Sequence, residues 1–520
     1  MAITTSRRLR RWLTMRHPAA GLCTLLVMTS MAPARTSAAD WTVNPALRLR
    51  ESYSDNILLA APGQTRSDLI TEIAPSIALI GSGPRLRIHL DYTLQKLFYR
   101  HQADTTNHQL AADAAAELLE DWLFADARAH IAQHNISAFG GQTVDNLPQG
   151  DNSTTVRTLT LSPYLRHRLR GLATAELRYT HDQLKSGNDL LSVRSDALLF
   201  QLDGDTDPRS LGWNARYDRK RTEDGLLAPV DMRKTTLSLR YPLSSKLNLF
   251  GSGGHEDEGY AANAGAASQG RFWSLGAGWY PSARSSLVAS TGKRFFGNTY
   301  TLDASHRSRY TSWALSYSED ITSSPAQFSR LSPSQTASML DQLWSGLLPD
   351  ALQRRQRIIA FLRYSQALGP DAGAVNYFSH RYFLQKQFKL SMLRATGRST
   401  FVLAFNATDR NAQTSSGIDS ALLPPSELAL QDRTRQTGIN SGWSWRMSPR
   451  NNVNASAGYG TIASASNGRK DANLALNVGL SRTLQPKVTA AVDLRHLRHT
   501  SNRGGDYREN GVSATLTILF

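Results

Sequence analysis

Apolar residues recur at every second position through most of the chain. At its end Val512, Ala514, Leu516, Ile518 and Phe520 share one parity, while Ser513, Thr515 and Thr517 share the other. Upstream, Val488, Ala490, Val492 and Leu494 alternate with Thr489, Ala491, Asp493 and Arg495, and Leu474, Leu476, Val478 and Leu480 with Asn473, Ala475, Asn477 and Gly479. Near the start, Leu86, Ile88, Leu90, Tyr92 and Leu94 alternate with Arg87, His89, Asp91, Thr93 and Gln95. Successive side chains of a strand point to opposite faces, so each segment has one greasy face and one wet face.

Soluble sandwiches alternate too, so length and number of strands must decide. The segments run about 10 to 14 residues, longer than the usual globular strand and matched to a tilted membrane crossing. About twenty can be counted by the same criterion. A closed sheet satisfies such a set, because grease meets lipid, the polar face lines water, and no backbone edge is left unpaired in hydrocarbon. Trp213 and Tyr217, Trp273 and Trp279, and Trp313 and Tyr317 share the apolar parity of their strands, as boundary-seeking aromatic rings should. The pattern therefore predicts an all-β protein, a transmembrane antiparallel β-barrel.

Turn chemistry sets the strand count. Short Pro-, Ser- and Gly-rich connections fall at 81–84, 242–245, 281–284, 448–450 and 484–486, and long polar ones near 138–153, 183–190, 220–231, 257–269, 410–433 and 501–507. With short turns in the periplasm and long loops outside, the strands at 306–319 and 376–391 would both run inward. A crossing supplied by 355–367 (Arg355, Ile358, Ile359, Phe361, Leu362) would give 22 strands, within a range of 18–22. Those positions alternate poorly, and Met339, Leu340, Leu343, Trp344 and Leu347 have helical spacing. The rival expectation is a helical insertion over 325–354, either a plug or lid or a surface excursion, leaving 355–367 as strand or helix.

The chain's beginning breaks the pattern. Arg7, Arg8, Arg10, Arg11 and Arg16 precede an apolar run at 19–31, and small residues at 37–39 precede Asp40. This reads as a secretory signal peptide over 1–39, cleaved near Ala39, rather than an anchor, because the run is shorter than the roughly 20 residues of a span. Its six arginines include Arg35, so the mature barrel, 40–520, would carry +11 (the full chain's +17 less 6). The one cysteine, Cys23, would leave with it, which excludes a disulfide framework and suits an oxidising compartment. A hydrophobic content of 40% and the absence of long apolar runs after residue 40 argue against a helical membrane bundle.

The wet face is where chemistry would sit. Parity places Arg87, His89, Asp91, Arg166, Glu176, Arg178, Arg216, Asp218, Arg240, Arg381, Gln385, Lys389, Asp493 and Arg495 inside. Fixed guanidinium groups in a narrow aqueous passage concentrate anions and suit the carboxylates and sulfates of an acidic polysaccharide. The alternative is cross-strand pairing that stiffens the wall. No zinc-protease helix motif, phosphate loop or Gly-x-Ser-x-Gly elbow occurs, so an enzyme is not expected and no cofactor or metal is called for. Asp203, Asp205 and Asp207 begin a calcium-loop spacing that lacks its glycine and distal glutamate. His255, Glu256, Asp257 and Glu258 read as a hydrated acidic loop tip or a bridge for divalent ions. Basic residues are dispersed through strands, which disfavours nucleic acid as a partner.

Four stretches carry a resemblance: "NPALRLRESYSDNILLA" (44–60), "RSDLITEIAPSIALIG" (66–81), "LDYTLQKLFY" (90–99) and "RYFLQKQF" (381–388). They resemble a family of proteobacterial outer-membrane proteins described as PEP-CTERM system associated, with a predicted β-barrel. The resemblance implies a link to exosortase-type sorting and exopolysaccharide loci, and carries over no catalytic residues. The terminal Phe520 resembles the C-terminal signature that barrel-insertion machinery reads in bacterial outer membranes.

The expectation is thus a porin-like β-barrel in the outer membrane of a Gram-negative bacterium, tied to exopolysaccharide export or surface polysaccharide assembly. Its expected partners are outer-membrane lipid and lipopolysaccharide, the insertion machinery, and exopolysaccharide with its periplasmic export proteins. A non-conducting structural or adhesion barrel is the alternative, and a lipid- or glycan-modifying barrel enzyme a third.

Overall fold

The computed structural model describes residues 40–142, 146–148, 152–169, 171–187, 191–204, 211–225, 227–263, 267–330, 378–420 and 428–520. Its strands are β1 (Asp40–Ser54), β2 (Asp68–Ser82), β3 (Leu86–Tyr99), β4 (Thr105–Leu119), β5 (Leu123–Asn135), β6 (Ser153–Leu169), β7 (Ala173–Ser186), β8 (Ser192–Gly204), β9 (Gly212–Asp224), β10 (Val230–Ser244) and β11 (Leu247–Asp257). They continue as β12 (Gln269–Ser282), β13 (Ser285–Arg294), β14 (Gly297–Arg307), β15 (Thr311–Ser323), β16 (Tyr382–Ala395), β17 (Ser399–Ala412), β18 (Arg433–Arg446), β19 (Asn451–Ser464), β20 (Lys470–Gln485), β21 (Val488–Ser501) and β22 (Tyr507–Leu519). Each pairs antiparallel with its sequence neighbours. β1 then closes on β22 from Ala46 opposite Leu519 to Ser54 opposite Gly511. No helix among the described residues is long and apolar enough to cross a membrane.

All the short turns foreseen lie at one rim, which also holds both ends of the barrel, and the long loops lie at the other. The bulges in β4, β10, β12 and β20 fall at the short-turn rim, that in β10 at Pro242, which has no N–H to donate to a ladder.

The number of strands is 22, but one was misplaced. Residues 306–319 are not a single inward strand. The chain turns back at 308–310, so β14 runs inward and β15 outward, and the ring closes without a strand from 355–367, which lie outside the described residues. The turn holds no Gly or Pro. Ser308 closes it instead, its N–H donating to the Thr311 carbonyl at 2.8 Å and its hydroxyl meeting the Thr311 hydroxyl at 2.6 Å. Of the expected helical insertion, α1 (Ser324–Arg330) is helical. Residues 331–354 lie outside the described residues, as do Asp205 and Asp207.

The outward face is the greasy one. Leu237, Leu275, Leu480 and Leu494 are exposed along it, bracketed by exposed aromatic rings at both rims: Trp41, Trp279, Tyr310 and Trp445 near the short turns, and Tyr53, Phe98, Trp273 and Tyr300 toward the loops. Trp41 and Tyr53 lie twelve residues apart on β1, about 30 Å along the membrane normal at ordinary strand rise and tilt. That separation lets the two rings flank a hydrocarbon core.

Candidate functional site: the lumen and its outer mouth

Most of the residues assigned to the wet face are already partnered. On β5–β7, Arg178 bonds Asp126 at 2.8 Å and Glu176 at 2.9 Å and lies 3.7 Å from the Tyr164 ring centre, while Arg166 holds Glu176 at 2.7 Å. Arg216 bonds Asp218 at 2.6 Å, and His89 lies 2.9 Å from Asp91. Arg495 reaches Glu509 at 2.6 Å. Several of these pairs join positions two apart on one strand, which are same-face neighbours by the pleat. Among the described residues, Arg87, Arg240 and Lys389 have no carboxylate within ion-pair reach. Those three cations remain to act on a solute. The lumen also buries glutamates that parity alone did not single out: Glu509 beside Arg495, Glu72 beneath Arg48 and Arg50, and Glu256 between Lys234 (3.1 Å) and Arg294 (2.8 Å).

Two expectations are corrected here. Arg381 does not line open water: its side chain is 2% exposed, donates to the Thr414 carbonyl and pairs with Asp432 at 2.8 Å, so it pins a loop. The run His255–Glu258 is not a hydrated tip. Glu256 ends β11 inside the lumen with no exposed surface, and Glu258 beside it is largely enclosed, 3.5 Å from Arg294. Three carboxylates (Glu256, Glu258, Asp320) here face two cations (Lys234, Arg294). Burial and that imbalance push the Glu258 carboxyl up to about 7. Asp203 bonds Gln201 and Asn214. Among the described residues no group of His, Cys, Asp and Glu could hold a metal ion.

The chain's own loops reach across the outer mouth. The segment after β5 carries Ala138 and Phe139 into one buried cluster with Phe383 on β16, Leu430 and Ile462 on β19. β5 and β16 are eleven steps apart in a ring of 22, so Phe139 reaches the opposite wall. Polar ties follow it: Gly140 N–H donates to Asp471 Oδ2 on β20 at 3.1 Å, and Gln142 N–H to the Tyr507 hydroxyl on β22 at 3.1 Å. Leu147 from the same loop packs with Ile57, Ile70, Leu97 and Tyr99. The two described ends of the β15–β16 connection reach inward likewise, Phe328 and Phe378 meeting Val156 and Leu184 on β6 and β7 and Leu191 beyond them.

Ser379, His380 and Arg381 fasten that second crossing. Asp419, in a one-turn 3-10 segment (Ser416–Asp419), accepts from the Ser379 hydroxyl and the His380 N–H, each at 2.7 Å. Burial raises the Asp419 carboxyl despite those two bonds. The His380 ring contacts Asp224 at the end of β9. Tyr260, in the loop after β11, stacks on Tyr382 with ring centres 5.0 Å apart, and Asn263 N–H donates to the Gln413 carbonyl. The available signal for these crossings was sparse, since Phe139 and Leu147 are scattered apolar residues in a mostly polar loop.

No family model matches the chain, and no curated protein matches it. Solved structures do. It is similar to the FrpB iron transporter of Neisseria meningitidis (F5-1 variant, apoprotein form), with TM-score 0.50 and 9% identity over 92% of this chain and 81% of that one. Weaker overlaps are seen with the siderophore receptor PirA of Pseudomonas aeruginosa (TM-score 0.43, 9% identity, 92% and 80% covered) and the outer membrane protein opdK of the same organism (0.33, 9%, 92% and 99%). At this identity the FrpB likeness carries the architecture alone. The fold is a closed 22-strand antiparallel β-barrel, an architecture it shares with that transporter.

Proposed function

We propose that the chain is a loop-gated outer-membrane channel for anionic solutes, closed at its outer mouth in the state described. The observation that carries this reading is Phe139 buried with Phe383, Leu430 and Ile462 across the lumen. Beneath it run polar walls on which Arg87, Arg240 and Lys389 keep an uncompensated positive charge, which favours anions in a confined aqueous path. The resemblance of residues 44–99 to a family linked with exopolysaccharide loci supports an acidic exopolysaccharide as cargo. In this reading the barrel is a conduit, with no catalytic role. Residues 1–39 export it, and insertion machinery reads Phe520, which is exposed at the short-turn rim.

The second reading, a non-conducting scaffold, is favoured by the number of separate ties across the mouth. Single-channel recording from the mature chain in planar bilayers separates the two. A gated channel is quiet in the native chain and opens when Phe139→Ala empties its cavity, a truncation that removes about 3–5 kcal/mol of packing from the loop. A correctly folded Phe139→Ala barrel that stays as silent as the native one overturns the channel reading.

A further inference from the structure

Near the loop ends of the strands, some charges on the outward face are paired, such as Arg221 with Glu223 at 3.0 Å, but three pairs of like charge are not so balanced. At the loop ends of the strands, Arg157 on β6 lies directly opposite Lys185 on β7, Arg219 on β9 opposite Arg233 on β10, and Arg498 on β21 opposite Arg508 on β22. All six side chains are exposed. Their facing direction is fixed by buried neighbours of the other parity: Val156 and Leu184 beside the first pair, Leu497, His499, Tyr507 and Glu509 beside the third.

Like charges directly opposite on one face destabilise a sheet. Only the middle pair has relief, sharing a single carboxylate, Asp231, at 2.7 and 3.0 Å. Among the described residues Arg157, Lys185, Arg498 and Arg508 have no carboxylate within ion-pair reach. The cost recurs three times near the loop ends of the strands, and an anion from outside the chain would remove it.

That position identifies the anion. On β6 the outward residue one step toward the membrane from Arg157 is the exposed Leu159; on β9 Tyr217 lies one step below Arg219; on β21 Leu494 lies two steps below Arg498. Each outward step is about 5 Å along the membrane normal. The six cations therefore stand where the greasy band ends and lipid headgroups begin. Guanidinium forks there match phosphate oxygens in pairs, and each basic side chain at an anionic lipid surface contributes about a fivefold preference.

We propose that these three outward pairs form a belt that binds the phosphate groups of the outer-leaflet glycolipid. The belt concerns the barrel's outer surface and stands whether or not the lumen conducts.

The test reconstitutes the full mature barrel in bilayers of brominated phosphatidylcholine, whose bromines quench the outward-facing tryptophans, and titrates in lipid A. Displacement of the quenching lipid should show a clear preference for lipid A, weakened in high salt. Dephosphorylated lipid A should lose that preference, and millimolar inorganic phosphate should not compete. Replacing one pair at a time (Arg157→Ser with Lys185→Ser, Arg219→Ser with Arg233→Ser, Arg498→Ser with Arg508→Ser) should lower the preference by roughly tenfold or more. Arg→Lys versions, which keep charge and fold, should retain most of it. Undiminished selection by the three serine variants, equal selection of dephosphorylated lipid A, or competition by free phosphate each overturns the proposal.

Discussion

His380, just before β16, contacts Asp224 at the end of β9, seven strands away around the ring. Both side chains are nearly enclosed, and the histidine's other ring nitrogen is buried without a hydrogen-bond partner among the described residues. Removing one member of a buried, hydrogen-bonded pair leaves the other desolvated and costs about 3 kcal/mol. Asp224→Asn, which keeps size but not charge, should therefore shift the closed–open balance toward opening by up to roughly a hundredfold. Single-channel open probability reads this directly. An unchanged open probability would mean that the crossing is held by its other ties, those of Ser379 and Arg381 and its apolar contacts.

The proton on Glu258 adds a pH dependence with a definite sign. Its carboxyl is raised to about 7 from an ordinary 4.5 because burial and the nearby Asp320 and Glu256 outweigh Arg294 and Lys234. A raised acid stabilises the enclosed arrangement fully below about pH 4.5 and loses that contribution as pH rises through about 7. The adjoining loop, with Tyr260 on Tyr382 and Asn263 tied to Gln413, should loosen over that interval. Hydrogen exchange of residues 258–263 should rise roughly tenfold between pH 5 and 8, beyond its intrinsic pH dependence. Glu258→Gln should flatten the excess rise. The same excess in that variant would move the titration to another group.

Much of the barrel was legible because parity is a local property. A strand's greasy face must meet lipid, so Leu494 outward and Arg495 inward follow from adjacency alone. The turn at 308–310 was missed because it lacks Gly and Pro, although outward residues change from even (Tyr300, Leu302) to odd (Trp313, Leu315) across it. One strand cannot carry both parities. The lumen pairs were harder. Parity puts Arg87 and Asp91 on one face, but only geometry shows that Asp91 takes His89 and leaves Arg87 free. The contact across the mouth was not legible, because Phe139 meets Phe383 across 244 residues of sequence, and no local period encodes such a pairing.

The free lumen cations make the last prediction. A guanidinium with a carboxylate within 3 Å, such as Arg178 with Glu176 and Asp126, projects a largely cancelled field into the passage. Arg87, Arg240 and Lys389 have no such partner, so each projects a whole charge, screened only by salt within about 10 Å at 0.1 M. In the Asp224→Asn background, where current can be measured, replacing all three with Ser should move the reversal potential under a salt gradient away from anions. Arg178→Ser should act differently. It strips Glu176 of one of two arginines and Asp126 of its ion-pair partner, so a stability loss of about 1–2 kcal/mol in urea unfolding is expected, discounted because Arg178 is partly exposed. The triple variant should unfold at the native urea midpoint, since no ion pair is broken. A triple variant with native selectivity would show that the passage is too wide for wall charges to reach its axis, which would favour a bulky polymer over small anions as cargo.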